Sequence, residues 1–373
     1  MKNLPIYLDY AATTPVAEEV LADMLPYFSS VFGNPSSRHH AFGWFAEEAV
    51  DTALSQISES LGVLKSEIVF TSGATESINL ALKGFLSQNI DYKLITIKTE
   101  HKATLDVAQQ LAVTGREIVY LDVDSDGNIS IETLEKELQK GPALVALLWV
   151  NNETGLIHPI DEIGALVHRY GGKVHVDATQ AVGKMPLNFK EMQIDLLSFS
   201  AHKIYGPKGV GALLVKKDIK IAAQIAGGGH QRGRRSGTLN VPGIVGLGKA
   251  VELSVKNLNE NHAHLHSLKT RFEEKVIGLG GKINSAGGER AVHISNICFV
   301  GKDGEDLLMK LHKIAISNGS ACNSASTLPS HVLKAMGYSD ADAYSSLRFS
   351  FGVNTKTEDI DMALEHLAEV IFQ

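Results

Sequence analysis

Cysteine is nearly missing from this chain of 373 residues, which has two, Cys298 and Cys322. Two thiols build no disulfide framework, and none of their neighbours forms a Cys-x-x-Cys metal knuckle. A reducing, cytoplasmic setting is the expectation. Long apolar runs are missing as well. Nothing approaches the ~20 residues of a membrane-spanning helix, and the N-terminal Met-Lys-Asn-Leu-Pro-Ile-Tyr-Leu-Asp-Tyr lacks the apolar run of a secretory leader. There is no surplus of positive charge: 35 Lys and Arg against 42 Asp and Glu leave a formal net charge of −7. This argues against a primary role on nucleic acid or on an anionic membrane. Internal repeats and low-complexity tracts are absent too.

What remains is a chain that is 44% hydrophobic, long enough for one large core and a second smaller one. Short apolar runs at 68–70, 94–97, 118–121, 144–150, 174–176, 196–199 and 210–215 predict buried strands. Helical patterns such as 78–86 and 160–170 lie between them. The alternation predicts an α/β fold with a mostly parallel seven-stranded sheet, helices on both faces and ligands at the carboxyl ends of the strands. Near residue 250 the pattern changes to one long helix over 251–276, an alternating strand within 291–300, a helix over 305–313 and a polar loop around Cys322. The expected division is a large domain over 15–255 and a smaller α+β unit over 256–373. Residues 1–14 are too short for a domain of their own and should pack on one of the two; they are assigned to the small one.

Some signals resemble sites and read better as structure. Asp122, Asp124 and Asp126 followed by Gly127 mimic a calcium loop, but Thr133 stands where the bidentate Glu belongs, and the preceding segment reads as strand. Gly243-Ile-Val-Gly-Leu-Gly-Lys249 nearly matches a phosphate-binding loop. However, Ala250 replaces its Ser/Thr and no strand precedes it, so small residues packing a helix is the better reading. His262, His264 and His266 share a helix on which only the first and last face the same way, with no ligand to complete a metal site. Arg232-Gly-Arg-Arg235 is too small a patch to imply nucleic acid.

Five other segments end predicted strands in polar groups. Ser198-Phe-Ser-Ala-His-Lys203 places a lysine beside the ligand crevice, as a Schiff-base amine or as a surface lysine. His175-Val-Asp177-Ala-Thr-Gln180 puts a carboxylate just past a buried strand, to meet a cation or to cap a helix. Thr71-Ser-Gly-Ala-Thr-Glu-Ser77 makes a strand–turn–helix cup. There the amides and hydroxyls of Ser72, Thr75 and Ser77 either hold a phosphate or form a capping box. Asn151-Asn152 breaks an apolar strand, and Thr99-Glu-His101 follows another. A structural explanation must account for all five separately. Cys322 lies in Ser-Asn-Gly-Ser-Ala-Cys-Asn-Ser-Ala-Ser (317–326), either a presented, reactive thiol or a small apolar residue near a turn. Cys298 sits in an alternating strand and reads as a buried structural thiol.

These residues resemble the pyridoxal-phosphate cysteine desulfurases of the class V aminotransferase group, in the branch whose long, mobile cysteine loop feeds iron–sulfur cluster assembly. The resemblance runs from Tyr7-Leu-Asp-Tyr-Ala-Ala-Thr-Thr-Pro15 to Ser346-Leu-Arg-Phe-Ser350. Between them it takes in Phe32-Gly-Asn-Pro-Ser-Ser37, Thr71 to Ser77, His175 to Gln180, Ser198 to Gly206, Arg235-Ser-Gly-Thr238 and the Cys322 loop. It implies a fold type I enzyme that converts L-cysteine to L-alanine and leaves the sulfur on Cys322 as a persulfide. Lys203 would join the pyridoxal 5'-phosphate, Asp177 pair with its ring nitrogen, Gln180 meet its ring hydroxyl, and His101 stack on the ring and shuttle protons. Ala74, Thr75, Ser200 and His202 would hold the phosphate, with Thr238 reaching in from a partner subunit of a homodimer. Asn152 and Arg348, with Asn34, would hold the substrate carboxylate, and Asn152 also borders the cofactor. A sulfur-acceptor protein, either an iron–sulfur scaffold or a tRNA-thiolation relay, is the implied partner. A selenocysteine lyase or other class V enzyme and a non-catalytic sulfur carrier are the competing readings. Two departures stand out. Gln231 replaces a Glu usual in the family, with little effect expected on the chemistry. The chain also stops at Gln373, without the longer tail that meets the scaffold in some relatives.

Overall fold

A computed structural model describes residues 4–318 and 329–372. Cys322 and Gln373 lie outside the described residues. The strands are β1 (Ile6–Tyr7), β2 (Ile68–Thr71), β3 (Lys93–Ile97), β4 (Ile118–Leu121), β5 (Ala143–Leu148), β6 (Lys173–Asp177), β7 (Leu196–Ser200), β8 (Gly211–Val215), β9 (Lys282–Ile283), β10 (Ile294–Cys298), β11 (Ile314–Ala315) and β12 (Ser346–Ser350). The helices are α1 (Glu18–Met24), α2 (Pro26–Ser29), α3 (Ala41–Leu61), α4 (Ala74–Gln88), α5 (Lys102–Val113), α6 (Ile131–Leu138), α7 (Ile160–Arg169), α8 (Val241–Lys256), α9 (Leu258–Gly278), α10 (Gly304–Lys310), α11 (His331–Ala335), α12 (Asp340–Tyr344) and α13 (Thr357–Ile371).

The seven predicted strands form one sheet in the order β2-β8-β7-β6-β5-β3-β4. Only β8 runs against the rest, so β2, β3, β5, β6 and β7 all point their carboxyl ends at the same edge. Both faces are dry. Along β5, Val145 and Leu147 enter the core on one side while Leu144 and Ala146 enter the core on the other. The same two-residue alternation separates Ala212 and Leu214 from Leu213 and Val215 on β8. This period, with burial on both faces, is why these runs read as continuous apolar segments. Helices α4 and α5 cover the second face; α3, α7 and α8 lie over the first. The glycines that mimic a phosphate loop sit in α8. A Cβ on Gly248 would come within 2.7 Å of Ala53 Cα on α3, so the small residues buy close helix packing, as read from the sequence.

A further hydrophobic cluster gathers Leu8, α9, α10, α13 and the sheet β12-β10-β9. The long helix expected over 251–276 is two helices: α8 ends at Lys256 and α9 starts at Leu258, with Asn257 between them at φ −98° and ψ 12°. The helix expected over 305–313 spans Gly304–Lys310, capped by Asp303, whose carboxylate accepts from the amides of Glu305 and Asp306. The acidic turn resembling a calcium loop is satisfied internally, since Asp124 Oδ1 accepts from the amides of Asp126 and Asn128 at 2.9 Å each.

Candidate active site

At the shared strand edge lies a cavity of about 650 Å³. Ala74, Thr75, His101, Asn152, Asp177, Gln180, Ser200, His202, Lys203 and Arg348 all line it. Asn34 and Thr238 do not; both are exposed elsewhere on the surface.

Each wall has a local cause. β2 ends at Thr71 and the chain turns through Gly73, at φ 151°, into α4. Gly73 is the N-cap and offers no side-chain hydrogen bond to the first-turn amides, which leaves a helix N-terminus ready for an anion. A Cβ on Gly211, at the start of β8, would lie 2.8 Å from Gly73 Cα, so the turn depends on this close approach. Glu76 makes no capping box: it takes the amide of Ser72, one residue before the N-cap, at 2.7 Å and pairs with Arg235 at 2.8 Å. Ser77 is a correction to the expected cup: its hydroxyl is buried against Thr71 Oγ1 at 2.8 Å and turns away from the cavity.

After β6, Asp177 is 7% exposed, and its Oδ1 accepts from the Thr179 amide at 3.0 Å. Among the described residues no cation pairs with it. A carboxylate buried without a cation costs several kcal/mol, so the site is built for one. After β7, a single 3₁₀ turn carries Lys203, whose Nζ donates to the carbonyls of Ala11 and Ala12 at 2.6 Å each. Tyr205, at φ 65°, closes that turn in the left-handed region. It is held there by Thr14 Oγ1, which accepts from its amide at 2.8 Å, and by the Val353 amide, which donates to its hydroxyl at 2.7 Å. His202 Nδ1 lies 3.1 Å from Thr13 Oγ1. Burial, then the charges of Lys203, Lys208 and Lys184, pushes its pKa down to about 4, so the ring is neutral at physiological pH.

His101 caps α5, its Nδ1 accepting from the Ala103 amide at 3.1 Å. Its neighbour Glu100 is fully buried and takes the Leu148 amide at 2.6 Å, which ties β3 to the end of β5. Burial first, and the nearby Asp177 charge, raise the Glu100 pKa well above the ordinary carboxylate range. The two amides after β5 divide their work. Asn151 Oδ1 accepts from the amides of Glu153 and Thr154, at 2.9 and 3.0 Å, and shapes the turn; Asn152 lines the cavity. Arg348 is 2% exposed and donates to Asn152 O at 2.8 Å and to Asp9 Oδ1 at 2.7 Å, while among the described residues its Nε is buried without a partner. Nη1 and Nη2 each carry a second hydrogen, and a guanidinium lining the cavity can use them to take a carboxylate.

Several contributors were not singled out in the sequence. Asp9 pairs with Arg348 across 339 residues, and nothing in the string links them. The carbonyls of Ala11 and Ala12 carry no side-chain signal. His331, on the cavity wall, donates from Nε2 to the Glu100 carbonyl at 2.9 Å. Gln231 does more than was expected of it: its carboxamide clasps Phe70, Oε1 accepting the amide at 2.6 Å and Nε2 donating to the carbonyl at 2.9 Å.

The residues fit pyridoxal phosphate: a primary amine, an acid that no described cation pairs with, a helix N-terminus without a side-chain cap beside hydroxyls, and the carboxamide of Gln180 on the wall. No helix among the described residues is long and apolar enough to cross a membrane.

Residues 6–363 match the family model described as aminotransferase class-V. The cysteine desulfurase IscS of Klebsiella pneumoniae is 47% identical over 380 residues, a match spanning 99% of this chain and 93% of that protein. The solved structure of a NifS-like protein superposes with a TM-score of 0.92 at 35% identity, covering 99% of this chain and 100% of that one. The structure of SspA in complex with cysteine has a TM-score of 0.82 at 36% identity, over 92% of this chain and 98% of the other.

Proposed function

Since this chain belongs to the class-V aminotransferase family, we propose how its residues perform the work of a cysteine desulfurase. It converts L-cysteine to L-alanine and transfers the sulfur. The observation that carries the assignment is the convergence on one cavity of Lys203, Asp177, His101 and the buried, incompletely satisfied Arg348.

Pyridoxal phosphate is the cofactor; when bound, it supplies a carbonyl for amine exchange and a ring that accepts the electrons released at the substrate Cα. Lys203 would anchor it through Nζ and would serve as the base for the substrate Cα proton. Asp177 would pair with the ring nitrogen and favour its protonated form. The N-terminus of α4 at Ala74 and Thr75, with Ser200 and His202, would hold the phosphate. Gln180 would offer its amide N–H to the ring oxygen, and His101 would stack on the ring and move protons. Arg348 and Asn152 orient the substrate carboxylate, which takes up the spare guanidinium donor. The Cys322 thiolate then attacks the substrate sulfur. The C–S bond breaks, an S–S bond forms on Cys322, and the carbon skeleton takes up protons to leave as alanine.

The enzyme acts as a cytoplasmic homodimer, and Thr238 completes the partner's site. Two features support this reading: Thr238 stands away from its own cavity, and Phe28, Phe32, Phe42, Trp44 and Phe45 are exposed, with the Phe32 and Phe42 rings 5.2 Å apart. The large domain spans 15–255, and the small one comprises 1–14 and 256–373. The membership of Leu8 in the cluster of α9 and α13, and the break at Asn257, support this division. The persulfide passes to an acceptor protein, an iron–sulfur scaffold or a tRNA-thiolation relay. With L-cysteine and a reductant the enzyme should form alanine and sulfide in equal amounts. Cys322→Ala should stop sulfide release and leave the cofactor absorbance intact, and full turnover by that variant would sink the role of Cys322.

A further inference from the structure

Behind Lys203 lies a second cavity, of about 560 Å³. Lys184 lines it, carried there by the turns that follow Asp177. Gly183, at φ 69°, allows this path: a Cβ there would meet Ser254 Oγ of α8 at 2.3 Å. Lys184 Nζ then lies 3.0 Å from the side-chain oxygen of Gln180, with His293 Nε2 3.3 Å from the same atom.

The chemistry of these partners fixes which way the amide faces. In its charged form Lys184 can only donate, so the Gln180 atom facing it is then the oxygen. At the other end the amide nitrogen donates to the Ala11 carbonyl at 2.9 Å, and a carbonyl can only accept. Turning the amide over would set N–H against ammonium and oxygen against oxygen. The titratable groups that line the rear cavity with Lys184 are Lys203, His293, His262, Tyr10, Tyr205, Glu18 and Glu19. Among the described residues no carboxylate pairs with it. Burial and the charge of Lys203 push its pKa down to about 7.

We propose that Lys184 is a positioning residue that locks the Gln180 carboxamide so that only its N–H group faces the front cavity and the ring oxygen of the cofactor. This rests on the reading of Gln180 given above. A locked donor favours the ionised ring oxygen, and an amide free to turn over does not. The lock therefore lowers the pH at which the absorbance band of the Lys203-linked cofactor titrates.

A double-mutant cycle on the holoenzyme tests this, with the absorbance midpoint as the readout. Lys184→Met should raise the midpoint by about one pH unit, the size expected for one hydrogen bond to a charged group. In a Gln180→Leu background the same change should move it by less than half as much, because no amide is left to lock. Lys184→Ala, which cannot overpack the site, is read in the same way should the Met variant not fold. Equal shifts in both backgrounds would mean that Lys184 acts by charge alone and would overturn the proposal. If Gln180→Leu itself leaves the wild-type midpoint unchanged, Gln180 does not meet the ring oxygen, and the proposal falls with that reading.

Discussion

The two cavities share Lys203 as a wall and use their polar groups in opposite ways. The front cavity sits where five strands end. Its groups keep bonding capacity in reserve: an uncapped helix N-terminus, an acid without a cation, a guanidinium with a spare donor. The rear cavity lies against α1, α8 and α9, and several of the polar groups around it bond to the protein itself, although among the described residues His293 Nδ1 is buried without a partner. Lys184 and His293 hold Gln180, Thr14 holds Tyr205, and Tyr205 holds Val353. Groups that keep capacity in reserve can meet a ligand; groups bonded to other side chains can position them.

The largest expected break in this contrast is Lys203→Ala, which removes the wall common to both. Turnover should fall by at least about three orders of magnitude, since nucleophile and base are lost together. The check is alanine formation at saturating cysteine. Next comes Arg348→Lys, which keeps the charge and loses the planar fork. It should lower kcat/KM by about 100-fold, mostly through KM, because one or two charged hydrogen bonds disappear. A fall in kcat alone would place Arg348 outside substrate binding.

Acid sharpens the comparison. The pKa of His158 is lowered from 6.5 to about 4 by burial, that of His175 to about 3 and that of His202 to about 4, while burial first, and then the charges of Lys184, Lys269 and Arg348, push that of His293 well below the ordinary value. Folded-state pKa values below the unfolded ones mean that their stability contribution is complete above pH ~6.5 and is lost as the pH falls towards ~4. Each such histidine steepens the loss by at most about 1.4 kcal/mol per pH unit. Bound cofactor should remove the share of His202, at the front, and leave that of His293, at the rear. Urea midpoints between pH 6.5 and 4.5 for apo- and holoenzyme provide the measurement. The smallest effect lies outside both cavities. Gln231→Glu keeps the acceptor for the Phe70 amide but loses the donor to its carbonyl, and should cost about 1 kcal/mol. Calorimetry should register a Tm lower by about 2 °C, with kcat unchanged.

The front was far more legible in the sequence than the rear. Strands buried on both faces announce themselves as apolar runs, and Asp177, His101, Lys203 and Asn152 were found because each follows such a run. Ser77 misled because a hydroxyl on the first turn of a helix can point either way, and only the burial of Thr71 decides it. The break at Asn257 was hidden because Asn and Leu fit a continuing helix as well as a new one. Lys184 and Asp9 gave no signal: their partners are set by tertiary contacts, and a lysine or an aspartate in a loop ordinarily faces water.

The central claim is that the sulfur of L-cysteine is handed to Cys322 by the groups of the front cavity. A single turnover of the holoenzyme without reductant, followed by mass analysis of its peptides, tests it most directly. The account predicts one added sulfur atom on the Cys322 peptide, one alanine released per added sulfur, and none on the Cys298 peptide. Alanine formed with Cys322 unmodified would contradict it.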